Sequence, residues 1–356
     1  MGENKKIINV FQKDLEKFCT DAMLAAGMEE ESAKLTSEVL ATTDSWGIYS
    51  HGTRQLRNYV KKINAGGINP KASPNVLSEG QSWALIDGNC SMAMVSSCIA
   101  MEMAIKKARN TGFGYTGVKN STHFGAAGYY ANMAVKDNMI GLAMSNVDAN
   151  MVIPGSKSAV IGNNPFAYAA PAGEEYPVFL DIAMSTVAAS KIYRAQQQGE
   201  EIPYGWIVDD EGLPTTNIEN YPLNGSLIPF GGHKGYGLTL MIEILSAVLT
   251  GASVTRDVKS WMLDLSEPTD EGHAFFAINI EALMPLKVFQ SRMDKMIRDI
   301  KNAPKVKGAD RIYLPGELEW ERRDSSLKSG IPLPSDVVDN LKALAIDTGV
   351  KTDLFG

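Results

Sequence analysis

One glycine run, set on the wrong side of a helix, limits this chain more than any other feature. Gly112-Phe-Gly114-Tyr-Thr-Gly117 has the GxGxxG spacing of a dinucleotide-binding loop. Such a loop works when a strand precedes it and a helix follows, because the pyrophosphate rests on the free N–H groups of the helix's first turn. Here the order is reversed. Residues 92–109 read as a helix whose end carries Lys106, Lys107 and Arg109, cations that suit a C-terminus, and Gly112 stops it. Tyr115-Thr-Gly-Val-Lys119 then reads as a strand. The run is a decoy, so a nicotinamide cofactor on this chain needs a scaffold other than a Rossmann domain.

The surrounding pattern is mixed. Phe11, Leu15, Phe18, Cys19, Ala22 and Met23 form one apolar stripe ending near Gly27, and a second helix covers 29–41 with Leu35, Val39 and Leu40 inward. Leu56, Tyr59, Val60 and Ile63 mark a third, stopped by Gly66-Gly67, and the Gly- and Pro-rich residues 66–74 read as a linker. Short apolar runs at 83–87, 113–119, 139–145, 159–161 with 167–170, 178–182 and 274–280 then alternate with helical patterns at 125–136, 185–197, 234–249 and 286–301. A last helix from Ser335, with Val337, Leu341 and Leu344 inward and a stop at Gly349, belongs by composition with the N-terminal helices. The expected fold is α/β (α+β), non-Rossmann. It comprises a mixed-sheet, cofactor- and substrate-binding domain over 76–285 and a helical domain built from both chain ends, 1–75 with 286–356.

Two polar turns carry the chemistry. Asp44-Ser-Trp-Gly-Ile-Tyr-Ser50-His51-Gly52-Thr-Arg54-Gln-Leu-Arg57 places one of only four histidines just before or within the first turn of a helix. The free N–H groups there favour an anion, and two arginines follow within a turn. A proton carrier beside anion-binding groups suits a small carboxylate substrate; a helix cap with solvated arginines is the plainer reading. Ser121-Thr-His123-Phe-Gly125-Ala-Ala-Gly128 repeats the arrangement, leading from a strand into a helix. Asp148, just past the strand at 139–145, is placed to orient an imidazole and fix its tautomer. Three further turns are candidates for ligand contact: Gly162-Asn-Asn164-Pro, the strand Phe179-Leu-Asp181-Ile182-Ala183 running into a Ser185 or Thr186 cap, and Gly231-Gly-His-Lys234-Gly235-Tyr-Gly237. Glycines with a lysine at a helix start suit a phosphate-bearing ligand, although the Walker A spacing is absent. His273 beside a strand reads as structural.

Composition narrows the class. A net charge of −7 argues against nucleic acid or an anionic membrane as partner. Cys19, Cys90 and Cys98 are odd in number and lack metal spacing, which with no apolar signal core in residues 1–6 implies a reduced, cytoplasmic setting. The longest apolar helical pattern, 236–252, contains Glu243 and is too short and mixed to span a bilayer. No metal site is expected.

Several of these motifs, in this order, resemble the malate/L-lactate dehydrogenase family. They are Gly47-x-x-Ser50-His51-Gly52, His123-Phe-Gly125, Asn164-Pro165, Asp181-x-Ala183, Ile202-Pro203-x-x-Trp206, Gly212-x-Pro214-Thr215-Thr216, Lys234-Gly235-Tyr236-Gly237 and Pro315-Gly316. The resemblance implies a non-Rossmann fold, an intertwined homodimer and NAD- or NADP-dependent interconversion of small 2-keto and 2-hydroxy acids. It makes His51 and His123 the candidate proton carriers, with Asp148 behind His123. Ser50, Arg54 and Tyr59 would hold the substrate, and Asn164, Asp181, Ile182, Ala183, Lys234, Gly235, Gly316 and Glu317 the cofactor. Members place the clamp arginine four residues after the motif histidine, where this chain has Gln55. Arg54 stands one position earlier, and one helical residue rotates a side chain by about 100°, so the clamp is Arg54 or, in its place, Arg57. Reduction of cyclic imino acids such as pyrroline or piperideine carboxylates is an alternative, as is a metal-assisted lyase or hydrolase.

Overall fold

The computed structural model describes residues 7–219 and 221–355; the residues 1–6 considered above lie outside them. At the N-terminal end β1 (Ile8–Val10) leads into α1 (Gln12–Ala25) and α2 (Glu30–Ser45), and α3 (Leu56–Ala65) follows the histidine turn. The stripe on α1 buries as read, except that Phe11 flanks the helix and is exposed. Helix α2 runs to Ser45, past the expected end, because Thr43, Asp44 and Ser45 are buried and tertiary packing overrides their poor helix propensity.

The central sheet has seven strands in the order β2 (Asn75–Glu79), β3 (Trp83–Asp87), β4 (Phe113–Ser121), β11 (Glu271–Asn279), β5 (Met139–Ser145), β6 (Pro165–Ala170) and β7 (Val178–Ala183). Only β3 and β4 are parallel, joined across the 19-residue α4 (Ala93–Thr111); the other pairings are antiparallel. Gly112 caps α4 with φ +86° and hands the chain directly to β4. The decoy reading of the GxGxxG run holds, because its glycines serve a helix-to-strand turn and close packing. An added Cβ on Gly114 would enter the Ala104 backbone of α4.

Helix α5 (Ala127–Lys136) packs with α4 on this sheet. The remaining elements are α6 (Ala189–Gln198), β8 (Ile207–Val208), β9 (Pro214–Thr215), β10 (Ser226–Leu227), α7 (His233–Glu243), α8 (Leu286–Lys301), α9 (Glu317–Ser329), β12 (Ile331–Leu333) and α10 (Ser335–Thr348). Strands β8 to β10 make a small sheet of their own, and β12 pairs with β1. Helix α6 begins at Ala189, not at the expected Ser185 or Thr186: the Ser185 hydroxyl donates to the Val187 carbonyl at 2.8 Å and caps nothing. Helix α7 widens into a π turn over Ile244–Val248.

Both chain ends meet. Val337, Val338, Leu341 and Leu344 of α10 share a core with Leu15, Phe18 and Met23 of α1 and with Leu56 and Tyr59 of α3. That core continues through α4 and α5 onto the sheet. Helix α8 packs elsewhere: its Ile297 clusters with Val178 of β7 and with Leu314.

Candidate active site

The first histidine turn is built on a buried carboxyl. Asp44, at the end of α2 and fully buried, accepts the Thr53 N–H at 3.1 Å and the Thr53 hydroxyl at 2.5 Å. Gly52 lies against that carboxyl so closely that a Cβ would overlap it, hence the glycine after His51. Burial pushes Asp44 up to about 7, with the two Thr53 bonds and the Arg54 charge opposing. Gln55 donates to the Ser50 carbonyl at 2.8 Å and closes the loop. The Ser50 hydroxyl and His51 Nδ1 are 2.9 Å apart, which leaves Nε2 as the free nitrogen.

The second turn comes to meet it. His51 and His123 stack with ring centroids 5.6 Å apart, though 72 positions separate them in the chain. Tyr59, from α3, brings its hydroxyl to 2.5 Å from His123 Nδ1, so again Nε2 is free. Trp261 stacks on the other neighbours: it lies 4.2 Å from His123 at 9° and 5.4 Å from Tyr59. Burial lowers the pKa of both imidazoles, and His51 and His273 beside His123 lower it further. Two adjacent rings without a nearby counter-ion stay neutral, because a single imidazolium there would be desolvated and its neighbour repelled.

Sequence reasoning missed Trp261. It sits in a loop with no apolar period, so only its spatial position betrays it. His273 is structural as read: its ring bonds Ser145 and Ser121 at 2.8 Å each, and burial pushes it down to about 3.

Other expected roles change. Asp148 does not bond His123; Tyr59 holds that nitrogen, while Asp148 is stabilised by Ser260, next to Trp261, against a burial that raises its pKa. Arg54 forms an ion pair with Asp336 of α10, and Arg57 pairs with Asp347 at 2.6 Å, so neither guanidinium is free over the histidines. Arg54 lies in the 3₁₀ turn Thr53–Gln55 ahead of α3, and from there it meets Asp336. Asn164 is fully buried, its amide donating to Glu243 at 2.7 Å and its oxygen accepting the Val147 N–H at 3.1 Å, so its side chain ties the start of β6 to α7. The Glu317 carboxylate is spent on the Leu314 N–H at 3.1 Å and on Lys301 at 3.2 Å.

The rest of the cofactor set converges. Asp181 of β7 accepts the Gly128 N–H at 2.7 Å, at the start of the helix that follows His123, and burial pushes its carboxyl up to about 6. Ile182 and Ala183 pair with Phe166 and Pro165. Gly316, with φ +86°, stands where a Cβ would come 2.5 Å from the Phe179 ring, two residues before Asp181. Met184, just after Ala183, accepts the Phe230 N–H at 3.0 Å, and Gly235 donates to Phe230 at 3.0 Å. The glycine turn before α7 is thereby fastened to β7. Gly231, Gly232 and Gly237 are exposed, and the exposed Lys234 ammonium has no bond among the described residues. A free ammonium beside glycines at a helix start fits a phosphate-bearing cofactor. No three His, Cys, Asp or Glu side chains gather for a metal among the described residues, and no described helix is long and apolar enough to cross a membrane.

The family model for malate/L-lactate dehydrogenase matches residues 10–342. This chain belongs to the malate/L-lactate dehydrogenase family. It is 39% identical to a malate dehydrogenase of Pyrococcus abyssi, covering 98% of this chain and 97% of that one. It is 37% identical to an L-sulfolactate dehydrogenase of Methanocaldococcus jannaschii, over 95% and 96%. A pyrroline-2-carboxylate/piperideine-2-carboxylate reductase of Pseudomonas putida is 28% identical, over 89% and 91%. The crystal structure of an Entamoeba histolytica malate dehydrogenase superposes with a TM-score of 0.92 at 31% identity, over 97% and 99%. The enzyme is therefore a dehydrogenase acting on the CH–OH group of 2-hydroxy acids with a nicotinamide cofactor.

Proposed function

We propose that His123 gives or takes the proton at the substrate's C2 oxygen through its free Nε2, with His51 beside it and Ser50 fixing the His51 ring. The stacked imidazole pair, each ring held by a hydroxyl at Nδ1, is the observation that supports this most. Lys234, Gly235, Asp181, Ile182, Ala183 and Gly316 would hold the cofactor, NAD or NADP, with Asn164 and Glu317 shaping that site from behind. The bound nicotinamide supplies or receives the hydride. This chain's residues orient the substrate and manage the proton, and the wall of Trp261 and Tyr59 keeps water from the exchange. Arg54 would hold the substrate carboxylate once released from Asp336.

A homodimer fits the apolar face of α7 and the π turn, where Leu238, Met241, Ile244, Val248 and Leu249 are exposed. Reduction of cyclic imino acids is the second reading, favoured by the Pseudomonas putida relative. A panel of 2-keto acids and cyclic imines, each run with NADH and NADPH while nicotinamide absorbance is followed, tests both. Turnover of 2-keto acids is expected; turnover of imines alone would replace the first reading with the second.

A further inference from the structure

One aromatic ring at the site is held more firmly than a wall against water requires. The Trp261 indole lies face to face with the His123 imidazole, centroids 4.2 Å apart and planes within 9°. Its loop is fastened at several points. Lys62, one turn after Tyr59 on α3 and fully buried, donates its ammonium to the Asp264 and Glu267 carbonyls, both at 2.8 Å. The Asp264 carboxylate accepts the Ser260 N–H at 2.9 Å, one residue before Trp261. The Thr269 hydroxyl meets that of Thr122, one residue before His123, at 2.9 Å. At Gly67 an added Cβ would come 2.3 Å from the Leu265 carbonyl oxygen, so the loop runs directly over the residues that follow α3. A buried ammonium spent on neutral carbonyls is costly. Here it keeps the loop, and the indole with it, in one place.

The ring that the indole faces has no anion of its own. Tyr59 occupies its Nδ1 at 2.5 Å, and no carboxylate bonds either nitrogen among the described residues. The titratable groups around His123 come from several elements: His51 from the turn before α3, Tyr59 from α3 and His273 from β11. Glu271, at the start of β11, acts on Tyr59, and Asp148 meets Ser260 beside the indole. A positive charge on His123 is opposed by burial and by the two other imidazoles. The face of an indole offers what a carboxylate otherwise would. Its quadrupole attracts a cation placed over it, more strongly for tryptophan than for the other aromatic residues and more strongly where water is excluded.

We propose that Trp261 stabilises the imidazolium that His123 becomes on taking the substrate's proton, a cation–π contact standing where an acidic partner would. With Nδ1–H donated to the Tyr59 oxygen, Nε2 keeps its lone pair. In oxidation the C2 hydroxyl O–H bond breaks and its proton bonds to Nε2, while the hydride passes from C2 to the nicotinamide. The positive charge on the ring is then that of the transferred proton. The inference rests on His123 being the proton carrier.

Fluorination of the indole tests this with little change of shape. Tryptophan bearing one, two or four ring fluorines, incorporated into the whole protein, weakens the π face step by step. Across the series kcat/KM for hydroxy-acid oxidation is expected to fall by about 2- to 30-fold, the span of a cation–π contact from exposed to desolvated. The acid limb of its pH profile should move to lower pH, because a less stabilised imidazolium is a stronger acid. A carbon-13 NMR titration of the His123 ring should shift the same way. All five tryptophans carry the label, so the series is repeated in Trp261→Phe, where it should be flat. A rate and pH profile that ignore fluorine number, or an equal response in Trp261→Phe, would overturn the proposal. Should Trp261→Phe fail to fold, the His123 titration in the fluorinated wild type decides, since it reads that ring alone. Full turnover by His123→Ala would sink the proton-carrier reading and this proposal with it; a flat series beside an inactive His123→Ala sinks this proposal alone.

Discussion

The histidine cluster and the contact between α3 and α10 lie a few residues apart on the same stretch of chain, and they handle charge in opposite ways. Around His51 and His123 the titratable groups are buried, stacked or bonded to hydroxyls, and no ion pair among the described residues reaches them. Along α10, Arg54 and Arg57 meet Asp336 and Asp347 in half-exposed pairs. Burial without a counter-charge keeps a group neutral: it raises the carboxyls of Asp44 and Asp181 and lowers both imidazoles, which leaves the rings uncharged and able to take a proton. Pairing in partial solvent fixes geometry and cancels charge while contributing little energy. The first arrangement serves reaction and the second holds the C-terminal helix against the site.

The sharpest way to break this contrast is to remove a ring. His123→Ala should lower kcat by about 10²- to 10⁴-fold with dinucleotide binding intact by fluorescence titration, the range expected for a lost acid–base group. Full turnover would make the cluster mere packing.

Asp44 tests burial directly. Its carboxyl is raised in the folded state, so its contribution to stability is complete below about pH 4 and is lost as the pH climbs through about 7. Asp44→Asn stays uncharged throughout. Its stability relative to wild type should therefore improve by about 3 kcal/mol across that window, followed by thermal melts at several pH values. A constant difference would show that Asp44 is already ionised in the fold.

Asp336→Asn frees Arg54. If Arg54 is the carboxylate clamp, KM for the acid should fall several-fold, about 1 kcal/mol, with kcat little changed; an unaltered KM would remove Arg54 from the site. The mildest case is Asp347→Asn, where losing a half-exposed pair should cost less than about 1 kcal/mol in denaturant melts. A larger loss would mean that this contact is structural in the way the histidine cluster is.

Legibility followed periodicity. Strand β5 and helix α8 stand where the apolar pattern put them, and α1, α4, β4, β7 and α10 differ by a residue or two. Strand β2 was illegible because all five of its residues are exposed, and α9 because only Glu317 and Ser326 are buried along its 13 residues. In the site, the two histidine turns were readable as polar residues between a stop and a helix start. Their mutual stacking was not, nor was Trp261, since each contact spans more than 60 residues of chain.

Sequence alone determined that the Gly112–Gly117 run follows a helix and enters a strand, that amphipathic helices lie near both ends of the described residues and that two imidazoles stand in turns leading into helices, because these depend on neighbours within a turn or a strand. Tertiary structure alone decided which hydroxyl holds each ring, that Arg54 and Arg57 pair with carboxylates of α10, and that the Asn164 amide is bonded to Glu243 of α7. Those outcomes turn on desolvation and on pairings between distant segments, and no local pattern encodes either.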